Sequence, residues 1–113
     1  MIIVYLFIEP RTSPVITEAM ILSPTEAEVS WTELAPIDRN GIIITYEVDY
    51  QPVVVFEGSE AVLRVNTTNT TIILTGLHES VQYNFTVRAF TIIGPGLFSD
   101  PVVDVLQEAR KSL

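Results

Sequence analysis

The chain of 113 residues contains one histidine, His78, and no cysteine, so the side chains able to do chemistry are few. His78 stands in "GLHES" beside Glu79, and no serine or cysteine nucleophile in a recognisable context accompanies it. A hydrolytic triad needs nucleophile, base and orienting group within mutual hydrogen-bond reach, and one imidazole without thiolates cannot build a zinc site. His78 reads as a solvated turn residue. Glu26 and Glu28 share a face of "EAEVSW", about 7 Å apart at ~3.3 Å per residue. Two carboxylates divide into acid and base only where their environments separate them, and a solvated face does not. Gly94-Pro95-Gly96 is followed by no helix whose N-terminal amides could cradle a phosphate, and it reads as a hairpin turn. No catalytic, cofactor-binding or metal-ligating residue is expected, and the chain reads as non-enzymatic.

The asparagines carry a different chemistry. Asn66-Thr67-Thr68, Asn69-Thr70-Thr71 and Asn84-Phe85-Thr86 all match the acceptor pattern for N-linked glycans, so three of the four asparagines fall in it. Asn84 follows Tyr83, whose side chain is expected inside, so strand alternation aims Asn84 at solvent. Asn66 and Asn69 fall in a polar connection. All three are expected to be open to a glycan, which points to the secretory route and to an extracellular or cell-surface location.

These residues are positioned by strands. Prolines at 10, 14, 24, 36, 52, 95 and 101 interrupt the chain too often for long helices, and no window keeps apolar residues at helical spacing. Period two recurs instead. "NGIIITYEVDYQP" opens on a turn-prone pair and alternates Ile44, Tyr46, Val48 and Tyr50 with polar or small neighbours, and "EAEVSW" sets Ala27, Val29 and Trp31 against Glu26, Glu28 and Ser30. "AVLRV", "TTIILTGL", "YNFTVRAF" and "PVVDVL" are similar short runs bounded by Gly, Asn, Ser, Asp or Pro. Seven short strands at this spacing predict an all-β fold, a seven-stranded antiparallel two-sheet sandwich.

Composition agrees. With 48% hydrophobic residues the chain can bury a core without crosslinks. A formal charge of −8 repels polyanions, so nucleic acid and anionic membrane surfaces are not expected partners. The run "MIIVYLFI" is too short to span a bilayer, which takes about 20 residues, and lacks the charged start and cleavage site of a signal peptide. It reads as a boundary fragment or linker, or as an extra edge strand.

In order, "VSWTEL", "NGIIITYEVDYQP", "TTIILTGLHESVQYNFTVRAF" and "GPGLFSDPVVDV" closely resemble a fibronectin type III module over nearly all of residues 14 to 107. The resemblance places 1–13 as a tail, 14–107 as the domain and 108–113 as a linker. It implies an immunoglobulin-like sandwich with Trp31 in the core of the second strand, Tyr46 and Tyr50 on the third, and Leu77 and Tyr83 as a tyrosine corner. The cysteines of an immunoglobulin domain, the clustered acidic ligands of a cadherin and the Trp-Ser-x-Trp-Ser box of cytokine receptors are absent from the sequence. So is the family's integrin-binding tripeptide, for Arg39-Asn40-Gly41 lies in another loop with a different middle residue.

Two apolar stretches are left over: Val53, Val54, Val55 and Phe56 after the third strand, and the stretch containing Ile92, Ile93, Leu97 and Phe98 between the last two. Family topology puts them at opposite ends, where they could contact neighbouring modules or fold down on their own sheet. The resemblance implies a binding or spacer module of a multidomain adhesion or receptor protein, with protein partners and no cofactor, reaching a membrane only through the parent chain. The alternative is an intracellular module of a cytoskeletal-type array. A carbohydrate-binding accessory would require outward aromatics, and these are expected to alternate inward.

Overall fold

Extended segments bounded by Pro, Gly and Asn fold into seven strands in the computed structural model, which describes residues 10, 12–35, 39, 41–58 and 62–103. They are β1 (Ile16–Ser23), β2 (Glu26–Trp31), β3 (Thr45–Pro52), β4 (Leu63–Thr67), β5 (Thr71–Leu74), β6 (Tyr83–Phe90) and β7 (Val102–Val103). The strands form two antiparallel sheets, ordered β1-β2-β5 and β4-β3-β6-β7, which is the sandwich expected from the alternation. The apolar run 1–8, the expected boundary at residue 107 and the linker 108–113 lie outside the described residues.

Alternation decides which side chains enter the core. Along β6, Tyr83, Phe85, Val87 and Ala89 are buried while Asn84, Thr86, Arg88 and Phe90 face outward, half-buried. β2 buries Ala27, Val29 and Trp31 in the same way. Trp31, 4% exposed, meets the Tyr46 ring edge-on at 5.6 Å, and Tyr50, Tyr83 and Phe85 form a second aromatic group with centroids 6.2 to 6.4 Å apart. Burial pushes the Tyr46 phenol above the ordinary tyrosine value, Glu33 adds to the rise, and Arg39 opposes it. Ile44 departs from the expected alternation: it precedes β3 and is exposed, because the ladder takes it up only through its backbone N–H, which donates to the Phe90 carbonyl.

The loop before β6 is held by a phenol. The Tyr83 hydroxyl accepts the backbone N–H of His78 at 3.0 Å, while the Leu77 N–H donates to the Thr25 carbonyl and the Leu77 side chain is buried. A loop amide at a sheet-to-sheet crossing has no ladder partner, and the buried ring brings an acceptor to it. Tyr83→Phe removes this bond while keeping the ring, so urea unfolding should show a loss of at least about 1 kcal/mol with an unchanged slope.

The expected Gly94-Pro95-Gly96 turn is displaced. Thr91 and Gly94 exchange backbone hydrogen bonds at 3.0 and 3.2 Å, so the turn is made by Ile92 and Ile93. Pro95 already pairs with Phe90, and the Gly96 N–H donates to Ala89. Gly96 is needed for close approach: a Cβ there would come within 2.7 Å of the Pro10 Cβ.

Candidate functional site

The outward residues of the four-stranded sheet assemble into a charged face. Glu47 and Asp49 stand two apart on β3, opposite in sense to Tyr46, Val48 and Tyr50, and antiparallel register sets Glu47 between Asn66 of β4 and Arg88 of β6, and Asp49 between Arg64 and Thr86. Arg88 donates through Nε and Nη2 to Glu47 Oε1 at 2.9 and 2.8 Å. Arg64 Nε donates to Asp49 Oδ2 at 3.0 Å and lies 3.9 Å from Glu47. Both carboxylates are only 8% exposed, covered by the long side chains beside them. The hydrogen bond that Arg64 donates to Asp49, and secondarily the carboxylate's charge, raises the Arg64 pKa above the ordinary arginine value.

Aromatic rings extend this face, contrary to the expectation that all aromatics turn inward. The Arg88 guanidinium lies 4.3 Å from the Phe98 ring centroid and 5.2 Å from that of Phe90. Phe90 is outward because it is even-numbered on β6, in phase with Arg88, and Phe98 folds over Arg88 from the segment leading to β7. The period-two rule contained the first placement; the second depends on a loop path that no local pattern specifies.

The apolar stretches occupy opposite ends of the β3–β6 ladder, which runs from Thr45↔Phe90 to Pro52↔Tyr83. At one end Val53, Val54 and Val55 are exposed, Val55 to 84%, while Phe56 is half-buried and meets the His78 ring edge-on at 5.1 Å. At the other, Ile92 (77%) and Ile93 project from the turn, and Leu97 is exposed further along the segment leading to β7. Ile42, also 77% exposed, lies just before β3 at that end and was not singled out by the sequence pattern. Phe56 and Phe98 thus fold onto their own module and the aliphatic residues do not.

The three sequons differ. Asn66 is exposed, but within β4 and not in a connection. Asn69 is exposed in the turn between β4 and β5, with its own N–H held by Thr67 Oγ1 at 3.1 Å. Asn84 faces outward as alternation requires, yet it is half-buried and its Oδ1 is sealed from solvent with no hydrogen-bond partner. It sits on a strand paired on both sides, opposite Gln51 on β3 and Val103 on β7.

His78 is exposed, as a turn residue would be, and its ring meets that of Phe56 edge-on. Glu26 is half-buried and accepts the Ser23 hydroxyl at 2.9 Å in the β1–β2 turn, so it serves the turn. Among the described residues no three His, Asp or Glu side chains gather as a metal site would need.

A model of the fibronectin type III domain matches residues 13–105. The chain is 34% identical over 97 residues to rat "Phosphatidylinositol phosphatase PTPRQ", covering 86% of this chain and 4% of that protein. It is 35% identical over 94 residues to rat Contactin-3, covering 83% of this chain and 9% of that protein. Among solved structures, "Titin kinase and its flanking domains" superposes with a TM-score of 0.73 at 21% identity, over 93% of this chain and 19% of that one. The chain therefore spans less than a tenth of the length of these two relatives.

Proposed function

Because the chain belongs to the fibronectin type III family, we propose that it is a protein-interaction and spacer module from the extracellular region of a multidomain adhesion or receptor protein. The observation that carries this reading is the placement of exposed aliphatic residues at both ends of a rigid ladder, Val53 to Val55 at one and Ile42, Ile92 and Ile93 at the other. A β-sandwich deforms little along its strands, so contacts at the two ends transmit a fixed spacing between neighbours. Eight paired residues at ~3.3 Å each give about 25 Å of ladder. Apolar area left in water at such ends is removed when an adjacent module docks, which favours association by about 25 cal/mol per Å² before the cost of ordering.

The extracellular part of the proposal is supported by the exposed sequons. Asn66 and Asn69 offer the amide nitrogen to solvent, and we place glycans there. Asn84 is left bare in this reading, since it is half-buried within a strand that is paired on both sides. Peptide mapping of protein from its native cells, with and without deglycosylation, should find Asn69 and Asn66 modified and Asn84 unmodified. All three bare in that material would overturn the extracellular assignment and favour the intracellular array. The likeness to the titin structure is one of fold and adds nothing about compartment. The module contributes no reaction of its own, and any catalysis in its parent belongs to other domains.

A further inference from the structure

We infer that the first N-acetylglucosamine of a glycan on Asn69 folds back into a hollow beside its attachment point, so that this sugar packs as part of the module. The hollow holds about 710 Å³ between the approach to β3 and the turn from β4 to β5, and its wall includes Asn69, Thr68, Ile42, Ile44, Glu33 and Arg39. Asn69 and Thr68 are exposed, so the acceptor opens to solvent at the hollow itself. This inference rests on the reading of Asn69 as a glycan acceptor.

The wall suits a pyranose. Its ring presents C–H groups on the faces and hydroxyl and acetamido groups at the edge, so it needs apolar and polar neighbours together. Ile42 and Ile44, 77% and 51% exposed, are apolar surface that the bare chain leaves in water. The Glu33 side chain is 71% exposed and meets Arg39 at 3.5 Å, which leaves its carboxylate able to accept from sugar hydroxyls. The Thr68 hydroxyl adds a neutral donor and acceptor. A ring entering the hollow meets these groups directly.

Covalent attachment supplies what an open hollow lacks. A free monosaccharide would have to give up its translational and rotational freedom to sit there, whereas a tethered one docks intramolecularly. The tether is also firm at its base. The Asn69 N–H donates to Thr67 Oγ1 at 3.1 Å, and the Thr70 carbonyl accepts the Trp31 N–H at 2.9 Å, which fastens the turn to β2. On the approach to β3 the Ile44 N–H is bonded to the Phe90 carbonyl at 2.9 Å, so both sides are set before the sugar docks. Asn66 provides the contrast: it is exposed within β4 and outside the wall of this hollow, so its sugar has no such recess. Ile42 also borders the aliphatic end of the ladder, and a seated sugar leaves Ile92 and Ile93 there to meet a neighbouring module.

The test uses the full chain secreted from cultured eukaryotic cells as two variants, Asn66→Gln with a sugar on Asn69 and Asn69→Gln with a sugar on Asn66. Each is trimmed enzymatically to one N-acetylglucosamine, purified as the species with one sugar, and compared with the same variant made bare in bacteria. The sugar on Asn69 is expected to raise the thermal midpoint by a few degrees, and the sugar on Asn66 to leave it unchanged. Nuclear Overhauser contacts should join the ring and N-acetyl protons on Asn69 to the methyls of Ile42 and Ile44. Ile44→Thr, which alters an exposed side chain and keeps its backbone bond, should remove most of the gain while leaving the bare chain as stable as before. Equal shifts from the two sugars, no shift from the one on Asn69, absence of those contacts, or Asn69 left unmodified by the secreting cells would each overturn the inference. Forced secretion presents Asn69 for modification whatever the native compartment, whereas the extracellular reading is decided on protein from native cells, so the two fail separately.

Discussion

Trp31→Ala is expected to lose roughly 3 to 5 kcal/mol, the range for deleting a large buried aromatic. Trp31 is 4% exposed, stands at the end of β2 and abuts Tyr46 across the sandwich at 5.6 Å, so its removal opens a void that neither sheet can close. With domain stabilities of about 5–15 kcal/mol, the variant should be partly unfolded or nearly so at 37 °C. Trp31→Phe sharpens the test. The indole Nε1 is buried without a hydrogen-bond partner, so phenylalanine gives up area but also removes a stranded donor whose burial costs about 1–3 kcal/mol. Its loss should be less than half that of alanine. Since Trp31 is the only tryptophan, unfolding must be followed by far-UV circular dichroism. An alanine variant no less stable than one altered at Val55, on the open loop, would refute this account of the core.

Much of this architecture can be read from the amino acids, and the reasons differ by element. β2, β3 and β6 pack one face on the core and turn the other outward, so hydrophobic burial imposes period two directly on "EAEVSW", "TYEVDYQ" and "YNFTVRAF". β1 is harder to see. Its register shifts twice against β2, between Ile16 and Glu18 and between Ile21 and Ser23, so the buried Ile16 and Ala19 lie three apart and the alternation breaks. A corner at Leu77 and Tyr83 was implied by the family resemblance, whereas the amide it holds, that of His78, depends on the path of the loop. The outer-face network was not implied. Each of Glu47, Asp49, Arg64 and Arg88 could be assigned outward from its own strand, but which carboxylate meets which arginine is fixed by register between strands far apart in sequence. Asn84 shows the same limit: alternation gave its direction, and neighbouring strands decided that its amide oxygen would be covered.

Arg88→Ala is the second large effect, expected at about 2 to 3 kcal/mol. Removing one member of a buried pair typically costs about 3–5 kcal/mol because the other charge is stranded. Here the value is lower, since 21% of the Arg88 side chain remains in contact with water. Glu47 would keep only Arg64, 3.9 Å away, and Phe90 and Phe98 would lose the guanidinium between them. Arg64→Ala should cost clearly less than Arg88→Ala, for Arg64 is 59% exposed and its removal opens Asp49 to water. Salt separates the two further. At about 1 M the screening length falls to ~3 Å, which weakens pairs open to water and leaves covered ones nearly intact. Raising salt in chemical denaturation should therefore erase most of the Arg64 effect while the Arg88 effect persists, and a double-mutant cycle of Arg88→Ala with Glu47→Ala should return a coupling above about 1 kcal/mol. If both arginines instead lose their effect together as salt rises, Glu47 is solvated and the outer face is an ordinary charged surface.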